Sequence, residues 1–205
     1  MSKLNEDIER ENGSPRGDTA LVKAFQGGNK AAFDELVLKH KDRLFNLCYR
    51  FMGDYQEAND SAQETFVKIY QSLKRFRFES TFSTWLYRIA VNTCKNKLKS
   101  LEYRHRKKMV PLHNPENPER GALSTELRDE TQSPAMELEK KERLMLIQKA
   151  IDSLPEEQKA VVVLRDIEGL SYEEVANITG YNIGTVKSKL SRARADLRKK
   201  LRGVI

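Results

Sequence analysis

Long apolar runs are missing from this chain. No stretch of its 205 residues approaches the ~20 apolar residues that a membrane-spanning helix needs. The first eighteen residues are polar and contain no hydrophobic signal core. The expectation is a cytoplasmic protein that is not embedded in a membrane. Cysteine is scarce. Cys48 and Cys94 lie far apart, each in an apolar helical pattern. They read as free, buried thiols in a reducing compartment, not as a disulfide framework. The three histidines, His40, His105 and His113, show no ligand spacing with either cysteine, which speaks against zinc. With only 10 Gly and 6 Pro, collagen-like and proline-rich chains are excluded. There is no Gly-rich phosphate loop, no Cys/His nucleophile arrangement and no carboxylate cluster with metal spacing. Asp60 and Glu64 stand four apart like a metal pair, but no further ligand is near in sequence. No catalytic residue, metal or cofactor is therefore assigned, and the expectation is a protein that is not an enzyme.

Charge is what the chain has in quantity. Lys and Arg number 37 against 30 Asp and Glu, for a formal net charge of +7. The hydrophobic fraction, 39%, supports a small or divided core. Period-two alternation is never sustained, and helical spacing recurs. Leu21, Ala24 and Phe25 form one set. After Gly27 and Gly28 come Phe33, Leu36, Val37, Leu44, Leu47, Cys48 and Phe51, stopped by Gly53. Further sets are Phe66, Ile69, Tyr70 and Leu73, then Trp85, Leu86, Ile89 and Ala90. Pro111, Pro115, Pro118, Gly121 and Pro134 punctuate a polar stretch, and helical spacing resumes at Leu138. The chain is expected to be all-α: a mobile tail over 1–18, a helical unit over 19–101, a flexible linker over 102–134 and a second helical unit over 135–205.

The second unit carries a sharp local signal. Ser171-Tyr-Glu-Glu174 is a capping box. Gly180 suits the left-handed position that ends the short helix, and Asn182 can cap the next. In that next helix Val186, Leu190, Ala193 and Leu197 form one apolar stripe. Around it stand Lys187, Lys189, Arg192, Arg194, Arg198, Lys199, Lys200 and Arg202, with only Asp196 opposed. A plain bundle could have a solvated basic helix. Capping box, glycine turn and one-sided charge together describe a helix-turn-helix, whose second helix fits the DNA major groove while its cations neutralise phosphates.

The first unit has two contrasting surfaces. Between Phe76 and Tyr87 lie five aromatic residues, with Arg75, Arg77 and Arg88 interleaved. Bases of single-stranded nucleic acid stack on rings at about 1–3 kcal/mol each. Trp85, Leu86 and Ile89 read as core. Phe76, Phe78 and Phe82 fall in a Glu/Ser/Thr-containing segment read as a loop, where core and stacking both stay open. Asp54, Glu57, Asp60 and Glu64 instead make an acidic helical face. That face is either simply solvated or a contact for a basic protein partner.

Taken together, these pieces resemble the extracytoplasmic-function (ECF) sigma factors, the compact two-domain sigma subunits of bacterial RNA polymerase. Asp60-Ser-Ala-Gln-Glu-Thr-Phe66 is similar to the family's core-binding segment. Phe82-Ser-Thr-Trp-Leu-Tyr-Arg-Ile-Ala-Val-Asn92 is similar to its promoter-melting and minus-10 segment. Leu154-Pro-Glu-Glu-Gln158, Gly169 to Ala176 and Gly184 to Arg194 are similar to its minus-35 domain. The resemblance implies that Asp60, Gln63 and Glu64 face the clamp helices of the largest catalytic subunit of core polymerase. It implies that the loop from Phe76 to Ser83, with Phe78 and Phe82, captures a flipped minus-10 base. Asn92 joins that element, while Lys68, Arg88 and Asn96 hold the strand's backbone. Lys187, Ser188, Ser191 and Arg192 would read minus-35 duplex. Partners implied are core RNA polymerase, promoter DNA in duplex and single-stranded form, and an anti-sigma factor. Asn59 departs from the family's usual acid, and Ser191 is small where relatives often carry a ring. A stand-alone helix-turn-helix regulator would explain residues 171–202 and leave the acidic face and aromatic loop without a role.

Overall fold

The computed structural model describes residues 17–100 and 134–202, with side chains from 141 onward in the second segment. Every regular element in these residues is helical. The first half contains α1 (Asp18–Gln26), α2 (Ala31–Met52), α3 (Tyr55–Ser72), a 3-10 turn (Leu73–Arg75) and α4 (Phe82–Lys99). The second contains α5 (Pro134–Asp152), α6 (Glu156–Val162), a wide π turn (Val163–Ile167), α7 (Tyr172–Thr179) and α8 (Ile183–Lys200). The all-α expectation agrees with this architecture.

Helix ends fall where local chemistry puts them. Gly53 closes α2 in the left-handed region, with φ 69°. Asp54 then caps α3, its Oδ1 accepting from Glu57 N at 3.0 Å. Thr81 caps α4 by accepting from Thr84 N at 3.1 Å. In the first half, Leu21, Leu36, Leu44, Leu47, Phe51, Ile69, Leu73 and Leu86 are fully buried among α1 to α4. Cys48 and Cys94 are free thiols inside that core, and their mutual hydrogen bond together with burial pushes the Cys48 thiol well up.

The tail was expected to reach Asp18. Asp18 instead opens α1 and is 1% exposed. His40 Nε2 lies 2.8 Å from one carboxylate oxygen and Lys39 Nζ 2.6 Å from the other. Burial raises the carboxyl's pKa, but the bonds and charges of His40 and Lys39 outweigh it and hold Asp18 below its ordinary value. Residues 1–16 of the expected tail and 101–133, nearly all of the expected linker, lie outside the described residues. Pro134, expected at the linker's end, starts α5.

The two halves pack directly on each other. Buried apolar side chains of both belong to one continuous core. α4 lies against α7, and α2 meets α5 and the π turn. Tyr87 donates its hydroxyl proton to Glu168 Oε2 at 3.2 Å. Arg50 donates to Gln148 Oε1 at 3.0 Å. Lys159, 4% exposed, donates to Phe51 O at 3.1 Å and to Asp152 Oδ1 at 2.9 Å. Burial pushes the Glu168 carboxyl up despite Tyr87, Arg43 and Arg50, and burial followed by the Glu168 charge pushes the Tyr87 phenol up.

Candidate nucleic-acid interface

In the second half the structure builds a helix-turn-helix from α7 and α8. Ser171 Oγ accepts from Glu174 N at 3.1 Å, and Ser171 N donates to Glu174 Oε2 at 2.7 Å, a complete capping box. Gly180 is left-handed, with φ 75°. Asn182 Oδ1 accepts from Thr185 N at 2.7 Å and starts α8. Val186, Leu190 and Ala193 are buried, so the opposite face is forced outward. Lys187, Ser188, Ser191 and Arg192 are all exposed on it.

Cations on α8 divide into two classes that sequence alone did not separate. Arg194 makes a two-pronged pair with Asp166, at 2.6 and 3.0 Å. Lys189 pairs with Glu157 and stands 5.1 Å above the Tyr181 ring. Both are engaged by their own protein. Lys187 and Arg192 remain on the exposed face, and a shallow groove lined by Tyr172, Lys187, Ser191, Arg194 and Arg198 runs beside them.

On the first half, Asp60, Gln63 and Glu64 share the exposed face of α3. Asp60 reaches Lys97 at 3.6 Å, and Glu64 pairs with Lys68 at 2.7 Å, both near the surface. Lys68 also donates to Thr93 Oγ1 at 3.0 Å, which ties α3 to α4. Arg88, Asn92 and Asn96 follow at four-residue spacing on one face of α4. Both asparagines are exposed, while Arg88 is half-buried and its Nε has no hydrogen-bond partner among the described residues. The structure thus ties Lys68 to Thr93, next in sequence to Asn92, and sets Arg88, Asn92 and Asn96 along one face of α4.

The aromatic segment differs from its sequence reading. Phe82 is the first residue of α4, not a loop residue, and Ser83 follows it in the helix. Phe76 and Phe82 are buried. Phe76 lies 5.0 Å from Phe78, 5.0 Å from Trp85 and 6.4 Å from Phe82 between ring centroids. The cause is packing: rings this close bury more apolar area together than any of them would exposed. Phe78 is only half-buried and holds φ 57°, which turns the loop sharply. Lys23 Nζ stands 5.8 Å from its ring centroid.

Gln26 is a residue that sequence reading missed. Its Nε2 donates to Leu73 O at 3.1 Å and Phe76 O at 2.9 Å, pinning the start of this loop to α1. His40 likewise packs against Phe82, with ring centroids 5.2 Å apart. Neither residue has a local motif, because both partners are distant in sequence. Among the described residues no three His, Cys, Asp or Glu side chains come together as a metal site.

Family models match both halves: Sigma-70 region 2 over residues 36–104 and Sigma-70 region 4 over 144–197. The RNA polymerase sigma-H factor of Pseudomonas aeruginosa is 39% identical over 188 residues, covering 92% of this chain and 95% of that protein. The ECF RNA polymerase sigma-E factor of Haemophilus influenzae is 39% identical over 184 residues, covering 90% and 95%. The chain belongs to the ECF sigma factors. It acts in promoter-directed transcription initiation with RNA polymerase. Among solved structures, this sigma factor is similar to CnrH in complex with the cytosolic domain of CnrY. The TM-score is 0.65 at 25% identity, covering 91% of this chain and 97% of that one. The fold of the Bartonella quintana sigma factor RpoE, solved with the anti-sigma factor NepR, matches with a TM-score of 0.61 at 24% identity. That match covers 83% of this chain and 96% of that one. No helix among the described residues of this sigma factor is long and apolar enough to cross a membrane.

Proposed function

We propose that this ECF sigma factor divides promoter reading between its halves, residues 19–101 and 135–205, and docks on polymerase through a third surface. Lys187, Ser188, Ser191 and Arg192 read minus-35 duplex in the major groove. The loop from Phe76 to Ser83 receives an unstacked minus-10 base from the non-template strand. Phe76 and Phe82 form the floor of that site, and Phe78 is the ring within reach. Lys68, Arg88, Asn92 and Asn96 hold the adjoining strand. Extruding a base costs a few kcal/mol. Stacking and phosphate contacts offset it, which gives strand opening a basis without nucleotide hydrolysis. Asp60, Gln63 and Glu64 dock on the clamp helices of the largest catalytic subunit.

The single observation behind this reading is the sign contrast between two exposed helix faces, basic on α8 and acidic on α3. One face suits phosphate and base edges, and the other repels them and suits a basic protein. The protein is a non-catalytic subunit that works in the cytoplasm alongside polymerase. An anti-sigma factor is its regulatory partner, in keeping with the complex in which the B. quintana relative was solved.

Run-off transcription with purified bacterial core polymerase on a library of promoter-like duplexes tests the proposal. Initiation that depends on the protein and on both promoter elements is the expected result. Tight duplex binding by the protein alone, with no core binding and no initiation, would replace it with a stand-alone helix-turn-helix regulator.

A further inference from the structure

The ring of Tyr172 is shared by two cations from different elements. Arg165 of the π turn has its guanidinium carbon 4.8 Å from the ring centroid, and Lys187 of α8 has its Nζ at 5.5 Å. Tyr172 is the first residue of α7, half-buried and packed against the core. Its backbone is held on the side it enters from. Ser171 belongs to the capping box, and Arg165 Nη1 donates to Leu170 O at 2.6 Å. The ring is therefore a fixed surface.

Lys187 is restrained differently from its neighbours. Carboxylates hold Lys189 and Arg194 and neutralise them. Among the described residues, Lys187 is placed by a ring and by no carboxylate. The ring face attracts an ammonium without cancelling its charge or occupying its three donors. A free lysine side chain loses much rotamer freedom when it is fixed. Restraint before binding reduces what must be ordered on contact.

We propose that Tyr172 is a positioning residue for minus-35 discrimination and acts through Lys187. Its ring pre-orders the Lys187 ammonium beside the groove lined by Ser191 and Arg198, where it meets an acceptor on a base edge. This rests on the minus-35 assignment of Lys187 made above, and the experiment separates the two.

Holoenzyme made from the full chain is measured for relative affinity on promoters substituted at each minus-35 base pair. Lys187→Ala first locates the base pair that Lys187 discriminates. If no base pair changes, the minus-35 assignment of Lys187 is what fails, whatever Tyr172 does. With that position known, Tyr172→Leu is expected to lose roughly two- to fivefold discrimination there. Tyr172→Phe should keep wild-type discrimination, and Tyr172→Leu should add nothing in the Lys187→Ala background. Unchanged discrimination in Tyr172→Leu, a loss spread evenly over all base pairs, or a full further loss in the double variant would each overturn the proposal. One measurement needs no variant. In the wild-type chain the ε-methylene protons of Lys187 should show an upfield ring-current shift by NMR, and random-coil positions would also overturn it.

Discussion

Gly53→Ala probes the joint between the two halves. Gly53 has φ 69°, where an L side chain costs about 1–2 kcal/mol. Gly180, with φ 75°, carries the same conformational cost. The two sites differ in what an added methyl meets. At Gly180 nothing lies within 4 Å. At Gly53 the new carbon would stand 2.5 Å from one oxygen of Asp152 and 2.9 Å from the other. Asp152 cannot swing away freely, because its Oδ1 accepts from Lys159 Nζ at 2.9 Å and from Gln148 Nε2 at 3.2 Å. Moving it strips the buried Lys159 ammonium of its counter-charge, a loss of about 1.5–3 kcal/mol for a charged hydrogen bond. Gly180→Ala should therefore lower unfolding free energy by about 1–2 kcal/mol, and Gly53→Ala by roughly 2.5–5 kcal/mol. Urea denaturation of both variants gives the comparison. In an Asp152→Ala background, Gly53→Ala should cost only the conformational part. Equal losses in the two glycine variants, or an undiminished Gly53→Ala loss in that background, would refute the reasoning.

Three other perturbations test separate parts of the molecule. Asp18→Asn should cost about 1–3 kcal/mol near neutrality. The folded pKa of Asp18 is lowered, so its contribution is present above the unfolded value near 3.9 and is lost as pH falls through the folded one. The variant should consequently show a shallower acid limb in a stability-against-pH series. Phe76→Ala should destabilise by about 3–5 kcal/mol in thermal or urea unfolding, because the ring is core. An unchanged melt would place it outside the core. Asp60→Lys with Glu64→Lys should leave folding within about 1 kcal/mol, as both side chains are half-exposed. Under the docking proposed above, core-polymerase affinity should fall by over about a hundredfold in a fluorescence titration, because reversed charges would then face like charges.

Helix boundaries were legible because their causes are local. Ser171 and Glu174, Asn182, Gly53 and Gly180 lie within a turn of the ends they fix, and each acts there in the structure. The exposed α8 residues proposed to read DNA were legible for the same reason: three buried positions, Val186, Leu190 and Ala193, determine which face points out. Misreadings began where a residue's partner is remote. Polar neighbours around Phe76 and Phe82 suggested a loop and left core and stacking both open, but ring direction is decided by Trp85 and by packing in three dimensions. Asp18 looked like tail because His40 is 22 positions away.

Lys159 carries this furthest. It follows the polar run Pro155-Glu-Glu-Gln158, yet its ammonium is buried against a carbonyl 108 positions earlier. The specific links across the joint are of this kind: Tyr87 to Glu168, Arg50 to Gln148, Lys159 to Phe51, and Lys99 to Glu156 at 3.9 Å. Their chemistry differs from that of either half's interior. Hydrogen bonds and ion pairs exchange with water at a net value near 1 kcal/mol each, whereas apolar burial has no such replacement. Each half keeps its own large buried side chains, Phe51 and Leu44 in one, Leu164 and Val161 in the other. Separating the halves would therefore break these polar links together with the apolar contacts that α4 makes with α7 in the shared core.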